Sequence, residues 1–333
     1  MSEENYERIT KGLDRGGRGM TDIRGGIECN MAVISKTHVN GYFTTYGQGE
    51  WGIENDYRTA PVEIEKAGGY SVLNHVGDWV DSGRFPHRSH WNVYIAYFAG
   101  IFIDCPSCLG MEIVNNTDRV TRGDRELWDE LLQVVIPKGR NIWAFADDDS
   151  EKLNEVGRSF EFFVLPENNE ANVKKAMKDG NFFAASKYYK TTDGVGDFDG
   201  DGNVPLVTDI KVDQKANTIT VATDPTRDCR VIEWIADGKV IATGNTIDLN
   251  DYEKDLGCYI RFQMKGSGGV TYSQPFELQY KGRIDKPVPS WALWVFKTEA
   301  GQKFMKFYHS RSFALGAFIA EKIRILIEDN IKK

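Results

Sequence analysis

No stretch of this sequence approaches the roughly eighteen consecutive apolar residues that a membrane-spanning helix needs. The first twenty residues are polar and rich in Gly and Arg, without the apolar core of a secretory leader. An excess of basic residues is also missing. Lys and Arg number 41 against 49 Asp and Glu, so the formal charge is 41 − 49 = −8. That balance argues against a nonspecific grip on nucleic acid, which requires a basic surface. It leaves room for a small phosphorylated substrate held by a few Arg side chains or by a metal. Cysteines are few and odd in number: Cys29, Cys105, Cys108, Cys229 and Cys258. Without a leader, they read as reduced thiols of a cytoplasmic protein. Cys105 and Cys108 have CxxC spacing, but no second pair completes a zinc site, so they read as small residues packed at a strand end.

What is present is an alternation of short apolar runs with helical patterns over residues 20–190. Gly26–Cys29 reads as a strand end, residues 62–67 as the end of a helix capped by Gly68-Gly69, and Tyr70–His75 as a strand ending on polar residues. His90–Ile103 is an aromatic-rich helix, Gly110–Val114 a strand, and Asp124–Val134 a helix with Leu127, Leu131 and Leu132 on one face. Asn141–Ala146 is a strand ending in three Asp, and Asn172–Lys178 a helix stopped by Gly180. Such alternation means an α/β layer or barrel. From 207 to 282 the pattern changes to short β-runs, with Asp237-Gly238 as a hairpin turn, and reads as a small all-β sandwich. The Gly- and Asp-rich segment 191–206 reads as a linker, and 283–333 as a tail with a helix over Phe313–Ile327.

Polar residues sit repeatedly just past strand C-termini, where α/β active sites are built. They include Glu28, His75 and Asp149, with His38 expected in the loop after Glu28. These are hard or borderline donors that suit Mn, Zn or Fe, with Mg as a further candidate. A carboxylate can bridge two ions, which lower the pKa of a bound water and stabilise the oxygens of a phosphoester.

In order and spacing, Gly26-Ile27-Glu28, His38, Leu73-Asn74-His75 and the Asp148-Asp149-Ser150 turn resemble the PHP (polymerase and histidinol phosphatase) domain. Residues 110–115, 127–132 and 180–186 carry further local phrases of that family, and the likeness covers roughly residues 22–190. The resemblance implies a distorted (β/α)7 barrel, a two- or three-metal centre and hydrolysis of phosphate esters. Glu28 would bridge, and His38, His75 and Asp149 would be terminal ligands. Two departures stand out. The family opens on a strand bearing His-x-His, and no histidine precedes His38 here. It also closes its last motif with Asp-x-His, where this chain continues from Ser150 to Glu151, a substitute ligand. The expectation is therefore an incomplete, N-terminally truncated barrel over 1–190 whose metal-dependent phosphoesterase activity, on a phosphorylated small molecule or nucleotide, is impaired.

Further candidates surround this set. His87 and His90, with Arg84 and Arg88, could hold a phosphate, and Arg158 past the acidic turn is a better anion ligand. Arg119, Arg122 and Arg125 flank a helix start and read as cap and ion-pair residues. Asp197–Gly202 matches the first half of a calcium loop, but Thr208 stands where its bidentate Glu belongs. Two rival readings remain. One is a non-catalytic PHP-derived binding or regulatory protein. In the other the β-sandwich binds a ligand or partner, which an exposed face of Trp234, Tyr259 and Tyr272 would favour.

Overall fold

The computed structural model describes residues 11, 25–30, 37–47, 57–77, 91–283, 285–286 and 290–308. His87, His90, Arg84, Arg88 and the expected helix over Phe313–Ile327 lie outside the described residues.

The first sheet joins β1 (Ile27–Asn30), β2 (His38–Tyr42), β3 (Tyr70–Leu73), β4 (Cys108–Asn115) and β5 (Trp143–Asp147) in that order. The first two pairings are antiparallel and the last two parallel. Parallel strands need crossovers. Helices α2 (Trp91–Asp104) and α3 (Asp124–Val135) lie in the two connections, while α1 (Thr59–Lys66) precedes β3. Every residue of β4 is buried, as expected of a central strand with both faces covered. Leu127, Trp128, Leu131 and Leu132 of α3 pack into the main core with Tyr97, Phe98 and Phe102 of α2. Each such side chain contributes about 1.5–3 kcal/mol by leaving water.

After β5 the chain forms β6 (Ser159–Phe163), α4 (Glu170–Asp179) and β7 (Phe182–Ser186). Gly180 ends α4 in the left-handed conformation, with φ 72 and ψ 24 degrees. That is the stop its place in the sequence predicts. A short pair, β8 (Tyr188–Tyr189) and β9 (Phe198–Asp199), closes the expected linker. The remaining strands are β10 (Val207–Asp213), β11 (Thr218–Thr223), β12 (Val231–Ala236), β13 (Lys239–Thr243), β14 (Thr246–Asp248), β15 (Tyr259–Gly266), β16 (Gly269–Tyr272) and β17 (Phe276–Glu277). Two helices, α5 (Ser290–Val295) and α6 (Glu299–Tyr308), follow. Asp237 and Gly238 turn β12 into β13, and both have positive φ. Paired positive values are the mark of a tight hairpin.

The architecture is mixed α/β, and among the described residues none of its sheets closes into a barrel. The edge of β5 shows why. The Ala146 N–H donates to Glu161 Oε1 at 2.8 Å, and the Gln274 side chain bonds both the N–H and the C=O of Ala144, at 2.8 and 2.9 Å. Side chains thus occupy backbone groups that a closing strand would use.

Both layers of a sandwich are present. The sheet β10-β11-β14 faces β12 and β15 across Ile219, Val221, Ile247, Trp234, Phe262 and Met264. The larger layer does not stop at the expected boundary, however. Its order is β13-β12-β15-β16-β7-β6, with β17 beside β15. Val270 stands opposite Ser186 and Tyr272 opposite Ala184. Residues on both sides of 191–206 therefore share one sheet. Trp234, Tyr259 and Tyr272 are all buried, so they form no exposed aromatic face.

The acidic loop of the linker is engaged internally. Asp197 accepts from the N–H and hydroxyl of Thr191, Asp199 pairs with Lys190, and Asp201 accepts from the Asn203 N–H. Cys105 and Cys108 are buried free thiols, and burial pushes Cys105 up to about 11. A raised thiol suits a packed rather than a reactive cysteine.

Candidate metal site

The C-terminal ends of β3, β4 and β5 open on one side of the first sheet, the usual place for an α/β site. His38 is the first residue of β2, not a loop residue. The β1–β2 register sets Glu28 opposite Asn40 and Asn30 opposite His38. The strand pairing brings His38 toward Glu28, and their side chains meet with Nδ1 3.1 Å from Oε1. His75 lies two residues beyond β3, with its Nε2 3.0 Å from His38 Nδ1. One donor atom from each of Glu28, His38 and His75 lies within 4.8 Å of the others.

Asn74 holds this group in place. Its amide donates to Glu28 Oε1 and to Asn40 Oδ1, both at 2.9 Å, and its N–H donates to the His38 carbonyl at 3.0 Å. His75 has a positive φ, in the region that favours glycine. A β-carbon makes such a conformation costly, by about 1–3 kcal/mol. The His75 backbone N–H donates to the buried Glu112 carboxylate, which fixes that geometry. The His38 hydrogen bond holds Glu28 below the usual carboxylate range, against the desolvation that pushes it up.

Next to the three donors lies a cluster of acidic side chains pushed toward their protonated form. Burial first, then the charge of Asp147, pushes Glu112 and Glu161 well above the normal range, and burial raises Asp147. One oxygen of Asp147, Oδ2, is buried with no hydrogen-bond partner among the described residues. The Glu28 and Asp149 charges also reach Asp147.

In front lies a cavity of about 410 Å³, lined by His38, His75 and Asp149 together with Asn115, Asn116, Thr117, Arg119 and Val120. Asp149, also at positive φ, thus shares the cavity but is not within ligand distance of the three-donor group. Glu151 is exposed and does not line the cavity. Arg158 stands one step back: its Nη1 donates to Asn116 Oδ1 at 2.7 Å and lies 3.6 Å from Glu155. Asp148 is a structural acceptor, taking the N–H groups of Gly157, Arg158 and Ser159 at 2.7, 2.6 and 2.9 Å.

Sequence reasoning missed Arg119 and Glu112. It gave Arg119 a capping role, but the residue is exposed and lines the cavity. The signal was available, because Arg119 follows closely on the end of β4 at Asn115. Glu112 lies inside a fully buried strand, where pattern alone reads it as structural.

Two ligands of one ion, each about 2.0–2.2 Å from it, can be at most ~4.4 Å apart. Both measured separations fall well inside that limit. Two imidazole nitrogens and one carboxylate oxygen form a borderline donor set that fits Zn, Mn or Fe better than Mg. No family model, curated protein or solved structure matches the chain.

Proposed function

We propose that Glu28, His38 and His75 hold one divalent transition-metal ion and that the chain hydrolyses phosphate esters of small molecules. The observation that carries this reading is the convergence of those three donors, 3.0 and 3.1 Å apart, with His38 and His75 lining the cavity. A cation bound there would favour the ionised form of the neighbouring Glu112 and Asp147 carboxyls, which burial otherwise holds toward the protonated form. The resemblance to the PHP domain supplies the reaction class.

A bound ion would supply positive charge that acidifies a water and offsets charge developing on a phosphoryl group. The residues do the rest. Asn74 orients Glu28, Glu112 fixes the His75 backbone, and the loop from Asn115 to Val120 presents Arg119 to the substrate. A guanidinium there pairs with phosphoryl oxygens through charge-assisted hydrogen bonds. Asp149 is the carboxylate placed to accept a proton from water in the cavity. Three donors suit a single ion with an open position, so we assign a slower mononuclear centre instead of a bridged pair.

The test is metal analysis of purified protein together with aryl-phosphate hydrolysis across Mn, Zn, Fe and Mg. One ion per chain and turnover lost in His75→Ala support the proposal. A chain that retains no metal, or turnover that His75→Ala leaves intact, overturns it.

A further inference from the structure

A second cavity, of about 150 Å³, lies between α3 and the sheet that contains β12 and β15. Its charged lining is unbalanced: Arg122, Arg125, Lys190 and Arg261 face Glu126 and Asp129. Both carboxylates are already engaged. Asp129 accepts from Tyr259 Oη and from Arg261 Nε and Nη2, each at 2.7 Å, and Glu126 accepts from the Thr192 hydroxyl at 3.0 Å. Arg125 is held bidentate by Asp118, at 2.9 Å for both bonds, and Lys190 pairs with Asp199 at 2.5 Å.

Arg122 has no ion pair among the described residues. Its Nε is buried without a hydrogen-bond partner among the described residues, whereas Arg261, only 3% exposed, is matched by Asp129 and lies over the Trp128 ring, 4.9 Å from its centroid. Unpaired guanidinium N–H groups in a protein interior are costly, and folded proteins match such donors with water or an acceptor ligand. The unpaired Arg122 guanidinium calls for an anionic acceptor. The volume admits an inorganic oxyanion with a few waters and is too small for a nucleoside.

We infer that this cavity is a binding site for inorganic phosphate or a similarly small oxyanion, anchored chiefly by Arg122. The site touches the first cavity through one link. Arg125 lines the second cavity and grips Asp118, and Asp118 also accepts from the Lys190 N–H at 2.6 Å and the Thr121 hydroxyl at 3.0 Å. Asp118 lies in the loop that carries Asn116, Thr117 and Arg119 into the first cavity. This inference stands on the second cavity alone and does not require the hydrolytic activity.

The experiment is titration of metal-stripped full-length protein with inorganic phosphate, against sodium chloride at matched ionic strength. Calorimetry and the melting temperature are read together, since a ligand of the folded state raises the latter. Saturable binding with a rising melting temperature is expected. Arg122→Ala, and Arg122→Gln as a variant that keeps more of the stem packing, should each weaken it at least about tenfold, or about 1.4 kcal/mol. Lys211→Ala, exposed on β10 and lining neither cavity, should leave it unchanged. Absence of saturable binding, equal binding by wild type and a folded Arg122 variant, or an equal loss on Lys211→Ala, would each overturn the assignment.

Discussion

His38 Nδ1 and His75 Nε2 lie 3.0 Å apart, and their rings meet edge to face with centroids 4.7 Å apart. Two imidazoles in that position share either a proton or a metal ion. Metal requires both to be neutral, so protons compete with it. Metal affinity should fall as pH drops through the imidazole range, about 6–7. His38→Ala or His75→Ala should abolish tight binding. Glu112→Gln, which touches the His75 backbone, should weaken it by about 10–100-fold, as outer partners of ligands do. Competition with a chromophoric chelator measures all three. Equal affinity for wild type and His75→Ala would remove the site.

Glu161 offers a pH test. Burial, then Asp147, raises its carboxyl well above the usual range. A raised folded-state pKa means that the folded protein holds the proton more tightly than the unfolded chain. The stability from this group is therefore fully present below the unfolded value, about 4.3, and is lost as pH rises through the folded value. Metal-free protein should lose stability as pH rises above the unfolded carboxyl value. Glu161→Gln should flatten that slope without abolishing it, because Glu112 and Asp147 are raised as well. Urea midpoints at several pH values decide; an unchanged slope in Glu161→Gln would refute it.

Asp118 is buried and paired with Arg125, and desolvation outweighs the guanidinium in pushing its carboxyl up. Removing one partner leaves a buried unpaired charge, at a cost of about 3–5 kcal/mol. Urea unfolding of Asp118→Ala should show a loss of that size with an unchanged slope. A loss below about 1 kcal/mol, typical of exposed pairs, would show that Arg125 finds another acceptor.

The shared sheet makes a fragment test possible. Residues 207–282 alone would expose the edge of β16 where β7 pairs with it. That fragment should melt without a cooperative transition, whereas one spanning 159–282 should fold more stably. Cooperative melting of the shorter fragment, read by circular dichroism, would contradict this.

Periodicity made much of the fold legible. The Leu127, Leu131, Leu132 face, the Gly180 stop and the Asp237-Gly238 turn all announce themselves locally. Glu28, His38 and His75 were found by residue type and order. What remained hidden depended on distant residues. Nothing near His38 marks it as the start of a strand, because that strand is defined by its pairing with Ile27–Asn30 and Tyr70–Leu73. The pairing of Ala184 with Tyr272 and the Gln274 clasp on Ala144 join parts of the chain too far apart for any local pattern to reveal.

The β7–β16 pairing also governs how the chain emerges from the ribosome. Val270 must be made before Ser186 can pair with it. At the usual pace of translation that interval lasts roughly 4–17 s, during which β7 waits with one side unpaired. Waiting strand edges invite association with other chains. The nascent protein is therefore exposed to chaperones, and to aggregation, while residues 187–270 are being translated.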